Sequence, residues 1–235
     1  MLTPRENQIL KAVVNEYLNS AQPVGSQVLR IRYGLGISPA TIRAAMSALT
    51  EAGYLRQPHT SAGRVPTEQA YRLFVEGAEA TAPSMGEQEK LASRLQKAGS
   101  RTAALRSFAN QLSEISGGIG VALDGSGQAV HNLANVFGQR GFEDPRVAHY
   151  LAELLDNAAE WLPKFATEPG RPAIRIGQEN DDFRAQAVSV LAMRVSPEDN
   201  PEFVAVVGPT RMPYRKLISL MEFGATKLQE DHERR

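Results

Sequence analysis

The chain has 235 residues, of which 42% are hydrophobic and 22% are charged, a composition typical of a globular protein rather than a disordered or fibrous one. It contains no cysteine, which excludes structural disulfides, thiolate zinc sites and cysteine nucleophiles, and it favours a cytoplasmic location. The formal net charge is zero, and residues 1–80 carry only 8 Lys and Arg against 6 Asp and Glu, so overall charge points to no particular partner.

Three short helices are predicted in the first quarter of the chain. Thr3 and Glu6 have the spacing of a capping box, and the helix that they start ends near residue 20. The second helix is predicted over residues 27–33, with Ser26 as its N-cap and Gly34 ending it. The third is predicted over residues 38–53, because a serine followed by proline is a common helix start.

A hairpin and a fourth helix are predicted next. Residues 54–57 and 64–65 have strand character, and the residues between them are typical of a turn. Thr67 is a predicted cap for the fourth helix, and the small residues around position 80 indicate a domain boundary. Three helices followed by a hairpin predict a winged helix-turn-helix domain over residues 1–80.

The segment over residues 81–116 is predicted to be helical. Apolar residues recur every seven positions, and Gly99 interrupts them, so two helices are possible. The pattern suits a linker or dimerisation helix, paired within the chain or across a dimer. It suits an ordinary amphipathic helix packed on its own domain equally well.

The remainder, residues 117–235, mixes strands with helices. Periodicity predicts helices over residues 144–165 and 214–229, and Trp161 is predicted to belong to the core. Strands are predicted over residues 120–123, 173–176, 187–195 and 203–207. The whole chain is therefore expected to have an α+β fold, with a sheet domain at its C-terminal end.

The third helix and the hairpin carry the candidate DNA-binding residues. A recognition helix needs short polar or basic side chains on its outward face, and Arg43 is the strongest candidate for reading a base. Arg30, and with equal weight Arg32, could contact the phosphate backbone from the second helix. The predicted DNA-binding residues are Arg30, Ser38, Thr41, Arg43, Ser47, His59, Thr60, Ser61 and Arg64.

Several stretches of the chain resemble the family of the heat-inducible transcription repressor HrcA. Within the first domain they are residues 23–26, 38–43, 53–55 and 57–67. In the last third they are residues 174–180 and 207–214. The second group is similar to the signatures of that family's GAF-like domain.

The resemblance implies a repressor that binds an inverted-repeat operator ahead of chaperone genes as a homodimer until heat stress, with the chaperonin helping to keep it active. It also implies DNA contacts at Thr41, Arg43 and residues 59–64. The chain departs from the family in its middle, where residues 124–132 stand in place of the usual inserted dimerisation segment. It is therefore a short form.

No catalytic, metal or cofactor site is predicted. The four histidines, at positions 59, 131, 149 and 232, lack metal-ligand spacing, and no nucleotide-binding loop or nucleophile elbow occurs. No apolar run approaches the roughly 20 residues of a membrane span, so no membrane partner is expected. An enzyme is disfavoured. The second hypothesis is a ligand-responsive regulator whose GAF-like domain senses a small molecule.

Overall fold

The computed structural model describes residues 2–77, 82–139, 142–180, 182–196 and 200–233. Its contacts divide the chain into two compact units, Met1–Ala78 and Glu79–Arg235, which are described separately. The boundary predicted between residues 80 and 81 lies outside the described residues.

The first unit consists of four helices and a short hairpin. Its elements are α1 (Pro4–Ser20), α2 (Ser26–Tyr33), α3 (Pro39–Glu51), β1 (Leu55–Arg56), β2 (Val65–Pro66) and α4 (Glu68–Glu76). The caps predicted at Thr3, Ser38 and Thr67 all accept the expected backbone hydrogen bond. The predicted cap of α2 was wrong by one residue: the N-cap is Gly25, and Ser26 is the first helical residue with its side chain buried.

The core of the first unit lies between its helices. Ile9 and Val13 of α1, Leu29 of α2, and Ile42 and Leu49 of α3 are fully buried. Burial of each such side chain stabilises the fold by about 1.5–3 kcal/mol. Because α3 buries only this stripe, its opposite face remains exposed.

The second unit contains a five-stranded sheet between two layers of helices. Its helices are α5 (Met85–Gln96), α6 (Arg101–Ser116), α7 (Ala134–Phe137), α8 (Pro145–Asp156), α9 (Ala158–Phe165) and α10 (Tyr214–Glu233). Its strands are β3 (Ile119–Asp124), β4 (Gly127–His131), β5 (Ala173–Ile176), β6 (Val188–Arg194) and β7 (Phe203–Pro209). Short 3₁₀ turns over Gly177–Glu179 and Phe183–Ala187 join β5 to β6.

The strands are ordered β4-β3-β7-β6-β5, and all neighbours are antiparallel. Alternate residues of a strand face opposite sides of the sheet. Phe203, Ala205 and Val207 of β7 join a core formed with α8 and α9, whereas Val204 and Val206 are buried on the side of α6. The central strands are thus covered on both faces.

The heptad-like stripe of residues 81–116 is used inside the second unit. Leu91 of α5 and Leu105, Phe108 and Leu112 of α6 are buried, where the two helices pack on each other, on α10 and on the sheet. The structure contains two of the arrangements that the pattern allowed, because α5 and α6 pair within the chain and also pack on their own domain. This stripe is therefore not available to a second copy.

Three features of the second unit differ from expectation. β4 and α7 were not predicted. β4 is an edge strand whose residues are mostly exposed, so it lacks a buried pattern. α7 has only four residues, too few to show a helical period. The predicted helix over residues 144–165 is two helices that separate at Asn157. Trp161 packs against the core, as expected, but its side chain is only half-buried.

Candidate nucleic-acid interface

The exposed face of α3 begins with two polar residues that are hydrogen-bonded to each other. Ser38 Oγ accepts a hydrogen bond from the Thr41 amide at 3.1 Å, and the two hydroxyl oxygens lie 2.9 Å apart. Arg43 and Ser47 follow one turn apart on the helix, and both are exposed. These two side chains are therefore accessible from solvent, while Ser38 and Thr41 also hold the start of the helix.

The tip of the hairpin, residues 57–64, is organised by one amide. Gln57 Nε2 donates to the backbone oxygens of Thr60, at 2.8 Å, and Ala62, at 2.9 Å. The side chains of His59, Thr60 and Ser61 remain exposed, with Ser61 Oγ 3.3 Å from His59 Nδ1. The tip is thus a fixed loop that displays three hydrogen-bonding side chains.

The hairpin is tied to the turn before α2. Val24 and Arg64 exchange two backbone hydrogen bonds, of 2.8 and 2.9 Å. A Cβ on Gly63 would lie 2.4 Å from the Val24 carbonyl oxygen, closer than atoms can approach. Only glycine at position 63 therefore permits this close backbone contact.

The arginines near this face have different roles. Arg64 is half-buried, and its Nε donates to Thr50 Oγ1 of α3 at 3.0 Å, so it joins hairpin to helix. Arg32 donates to Glu16 of α1 at 2.6 Å, and burial together with this carboxylate raises the pKa of Tyr33. Arg30 is exposed. Arg32 thus has an ion-pair partner within the unit.

Two clefts bring most of the predicted residues together. A cleft of about 340 Å³, here called the α3–hairpin cleft, lies between Arg43 and Ser47 on one side and Gln57, Ser61 and Arg64 on the other. A second, of about 560 Å³, is bordered by Arg30 and Ser38. The described residues that line the two clefts include three arginines and no acidic side chain. His59 and Thr60 lie on the tip and Thr41 on α3, outside both linings.

Gln57 and Thr50 are functional candidates that sequence reasoning missed. Gln57 acts through its bond to a backbone oxygen of the hairpin tip. Thr50 acts through the hydrogen bond that it accepts from Arg64. A polar residue directly before the turn was the available signal for Gln57. No local pattern marks Thr50, because its partner is 14 residues away.

The protein-family model described as HrcA protein C terminal domain matches residues 82–218, which is more than half of the chain. The chain belongs to the HrcA family. The heat-inducible transcription repressor HrcA of Bifidobacterium animalis subsp. lactis is 47% identical over 118 residues, which are 50% of this chain and 32% of that protein. That of Erythrobacter litoralis is 44% identical over 123 residues, which are 52% of this chain and 36% of that protein. The matched region is thus about a third of these relatives' length.

A solved structure described as a hypothetical protein at 2.2 Å resolution has the same fold as this chain. The TM-score is 0.80, and the sequences are 19% identical over 98% of both chains. The curated relatives are named repressors, in agreement with the expectation that this chain is not an enzyme. Within the described residues, no group of three acidic or histidine side chains could hold a metal ion. No helix in the described part of the chain is long and apolar enough to cross a membrane.

Proposed function

We propose that the first unit is a winged helix-turn-helix that binds double-stranded DNA, with α3 in the major groove and the hairpin tip on the adjacent backbone. The observation that carries this proposal is the α3–hairpin cleft, where Arg43 and Ser47 of the helix face Ser61 and Arg64 of the tip. The described lining of the two clefts contains arginines and no acidic side chain, which favours contact with phosphates and guanine edges.

Each predicted residue has a place in this proposal. Arg43 and Ser47 read base edges, because they are exposed on the face of α3. Ser38 and Thr41 present their hydroxyls to a phosphate at the start of α3. Arg30, His59, Thr60 and Ser61 contact the backbone, and Arg64 both positions the hairpin and adds positive charge.

We further propose that the chain represses heat-shock genes from an inverted-repeat operator as a homodimer in the cytoplasm. The names of the curated relatives support heat-inducible repression. A two-fold operator requires a two-fold protein. We assign the second unit to the GAF-like class and take the chaperonin as the partner that keeps the repressor active, as the family resemblance implies.

The proposed dimer contact is the β4 edge of the sheet, in an isologous pair with a second copy. Val130 of β4 and the nearby Leu133 and Phe137 are exposed apolar side chains, with exposed fractions of 38–48%. An antiparallel edge strand is self-complementary across a two-fold axis, so the same strand from a second copy can continue the sheet. The buried stripe of α5 and α6 offers no such surface.

Footprinting on the promoters of the source organism's own chaperone genes tests the proposed function. We expect protection of an inverted repeat at growth temperature, and loss of that protection in a series of rising temperatures. Protection should also weaken with salt, because phosphate contacts release counterions. Absence of any protected repeat on these promoters, with protein shown to be folded, would contradict the proposal.

A further inference from the structure

The start of α2 lies at the α3–hairpin cleft, and no side chain caps it. Gly25 is the N-cap of α2 and makes no side-chain hydrogen bond to the helix, and both Gly25 and Ser26 line the cleft. The first amide groups of an α-helix have no partner within the helix, and the positive end of the helix dipole favours an anion. The side chains around this helix start determine whether it forms a binding site.

The Ser26 hydroxyl is a buried polar group without a hydrogen-bond partner. Ser26 is only 8% exposed, and within the described residues its Oγ makes no hydrogen bond. The oxygen keeps some accessible surface, and the α3–hairpin cleft is the opening that the residue lines. Because buried hydroxyls in proteins are almost always hydrogen-bonded, this one indicates an occupant of the cleft that bonds to it.

Two arginines supply positive charge to the same cleft. The Nε of Arg64 donates to the neutral hydroxyl of Thr50 at 3.0 Å, which fixes the guanidinium but leaves its charge uncompensated. Among the residues that the structure describes, the two Nη groups of Arg64 make no hydrogen bond, and neither Arg64 nor Arg43 forms an ion pair. The described lining contains no acidic side chain. The Nη donors of Arg64 and the Ser26 hydroxyl are therefore left for an anion.

The donors around the cleft match a phosphate better than a carboxylate. They come from three separate elements, because Ser26 begins α2, Ser47 lies on α3, and Ser61 and Arg64 belong to the hairpin. A phosphate accepts hydrogen bonds on oxygens that point in several directions, whereas the two oxygens of a carboxylate lie in one plane. The volume of about 340 Å³ is near the lower end of small-ligand sites, so it suits a single phosphate group.

We propose that the α3–hairpin cleft binds one backbone phosphate of the DNA duplex, held by the Ser26 hydroxyl, the first amides of α2 and the Nη groups of Arg64. This inference rests on the proposed DNA binding and adds Ser26 to the residues that contact the duplex. A phosphate contact carries no sequence information, but it fixes the position of the protein on the duplex. Arg43 lines the same cleft, so the bound phosphate sets the position from which Arg43 reaches a base edge.

Ser26→Ala tests the contact from the side of the protein. We expect the DNA affinity to fall about tenfold, because a hydrogen bond to a charged phosphate is lost. Fluorescence anisotropy at fixed salt should give the same factor for a duplex that carries the protected repeat and for a random-sequence duplex of equal length. The unfolding midpoint of the first unit should not fall, because the hydroxyl has no partner in the free chain.

Ser20→Ala is the matched control, at the last residue of α1. Ser20 Oγ donates to the Glu16 backbone oxygen at 2.8 Å and accepts from the Gln22 amide at 3.2 Å, and Ser20 does not line the cleft. This variant should lose stability and keep its DNA affinity. The reverse pattern is expected for Ser26→Ala.

Methylphosphonate substitution tests the contact from the side of the DNA. Each backbone phosphate of the duplex with the protected repeat is replaced in turn by an uncharged methylphosphonate. We expect one position in each half-site where the unaltered chain loses about tenfold in affinity. At that position Ser26→Ala should cause no further loss, because the two changes remove the same interaction.

The possible results separate this inference from the proposed function. Unchanged DNA affinity in Ser26→Ala, or losses that add at every phosphate, would overturn the inference while the proposed function stands. So would a lower unfolding midpoint in Ser26→Ala, which would indicate a structural role. Failure of the unaltered chain to bind either duplex would contradict both. Competition by inorganic phosphate below about 1 mM, at constant ionic strength, would overturn the assignment to the duplex in favour of a soluble phosphate.

Discussion

Arg43 and Arg64 illustrate two ways in which one residue type serves the proposed interface. Arg43 is exposed on α3, whereas Arg64 is half-buried and donates its Nε to Thr50. Substitution of Arg43 should therefore change DNA binding without changing the fold. Substitution of Arg64 should alter both, because the hairpin loses a contact with α3.

We expect Arg43→Ala to weaken operator binding by about 1–3 kcal/mol at fixed salt, the range for loss of a bidentate base contact. Quantitative footprinting or fluorescence anisotropy measures the change. Arg5→Ala, at an exposed arginine near the start of α1, is the matched control for the loss of one charge. Equal losses in the two variants would remove Arg43 from the residues that confer specificity.

Gly63→Ala tests the close contact between hairpin and turn. A Cβ 2.4 Å from the Val24 oxygen forces the two backbones apart, so we expect a loss of about 1–3 kcal/mol in unfolding free energy and weaker DNA binding. Thermal unfolding of the residue 1–77 signals in NMR spectra measures the first effect. Gly86→Ala in α5 is the control, because its Cβ meets open space. An unshifted midpoint in Gly63→Ala would show that the hairpin does not depend on this contact.

At the scale of elements, the second unit is held by ion pairs between segments distant in sequence. Arg101, the first residue of α6, donates to both carboxylate oxygens of Glu202, at 2.5–3.0 Å, and to the Leu228 backbone oxygen of α10. The Glu202 side chain is 12% exposed. One guanidinium thus joins the start of α6, the segment before β7 and the end of α10.

Arg101→Ala should lower the unfolding free energy of the second unit by about 3 kcal/mol, because it leaves the Glu202 carboxylate buried without its partner. Urea unfolding followed by Trp161 fluorescence reports on this unit. Arg94→Ala breaks the more exposed pair with Glu114 and should cost about 0.5 kcal/mol. Similar costs for both variants would contradict the importance of the Arg101 contact.

Glu87 gives the second unit a defined pH dependence. Hydrogen bonds from Lys216 and Ser84 lower the pKa of Glu87 to about 2. A lowered folded-state pKa adds stability above the ordinary value of 4.5, and that stability is lost as the pH falls towards 2. Because the pair is partly exposed, we expect Glu87→Gln to cost about 1 kcal/mol at pH 7.

The cost of Glu87→Gln should shrink steadily between pH 4.5 and about 2, as measured by urea unfolding at each pH. Glu89→Gln, at an exposed neighbouring glutamate on α5, controls for the loss of one negative charge. A cost for Glu87→Gln that stays constant over this pH range would contradict the role of the Lys216 contact.

Features that depend on local sequence signals could be predicted, whereas features that depend on contacts between distant residues could not. The starts of α1, α3 and α4 were predictable because each cap bonds within three residues. The exposed face of α3 followed from the spacing of its buried residues. Thr50 and the edge strand β4 were not predictable, because the partner of Thr50 is 14 residues away and the exposure of β4 is set by the folded chain.

At the scale of the molecule, the proposed dimerisation through β4 can be tested by measuring the molar mass in solution. We expect the unaltered chain to be a dimer at micromolar concentration by light scattering. The double variant Val130→Lys/Phe137→Lys should be monomeric, because it places charge on the exposed apolar edge. Met85→Lys, at an apolar side chain that is 77% exposed on α5, should leave the dimer intact. A monomeric unaltered chain, with or without operator DNA, would contradict the proposed dimer.

The amide of Gln57 has a consequence for how such a regulator can change its target. It holds the hairpin tip through the backbone oxygens of Thr60 and Ala62, and these two bonds do not use the side chains at positions 59–61. We therefore expect many substitutions at those three positions to leave the hairpin folded. New operator preferences could be selected at the tip while the rest of the domain stays unchanged.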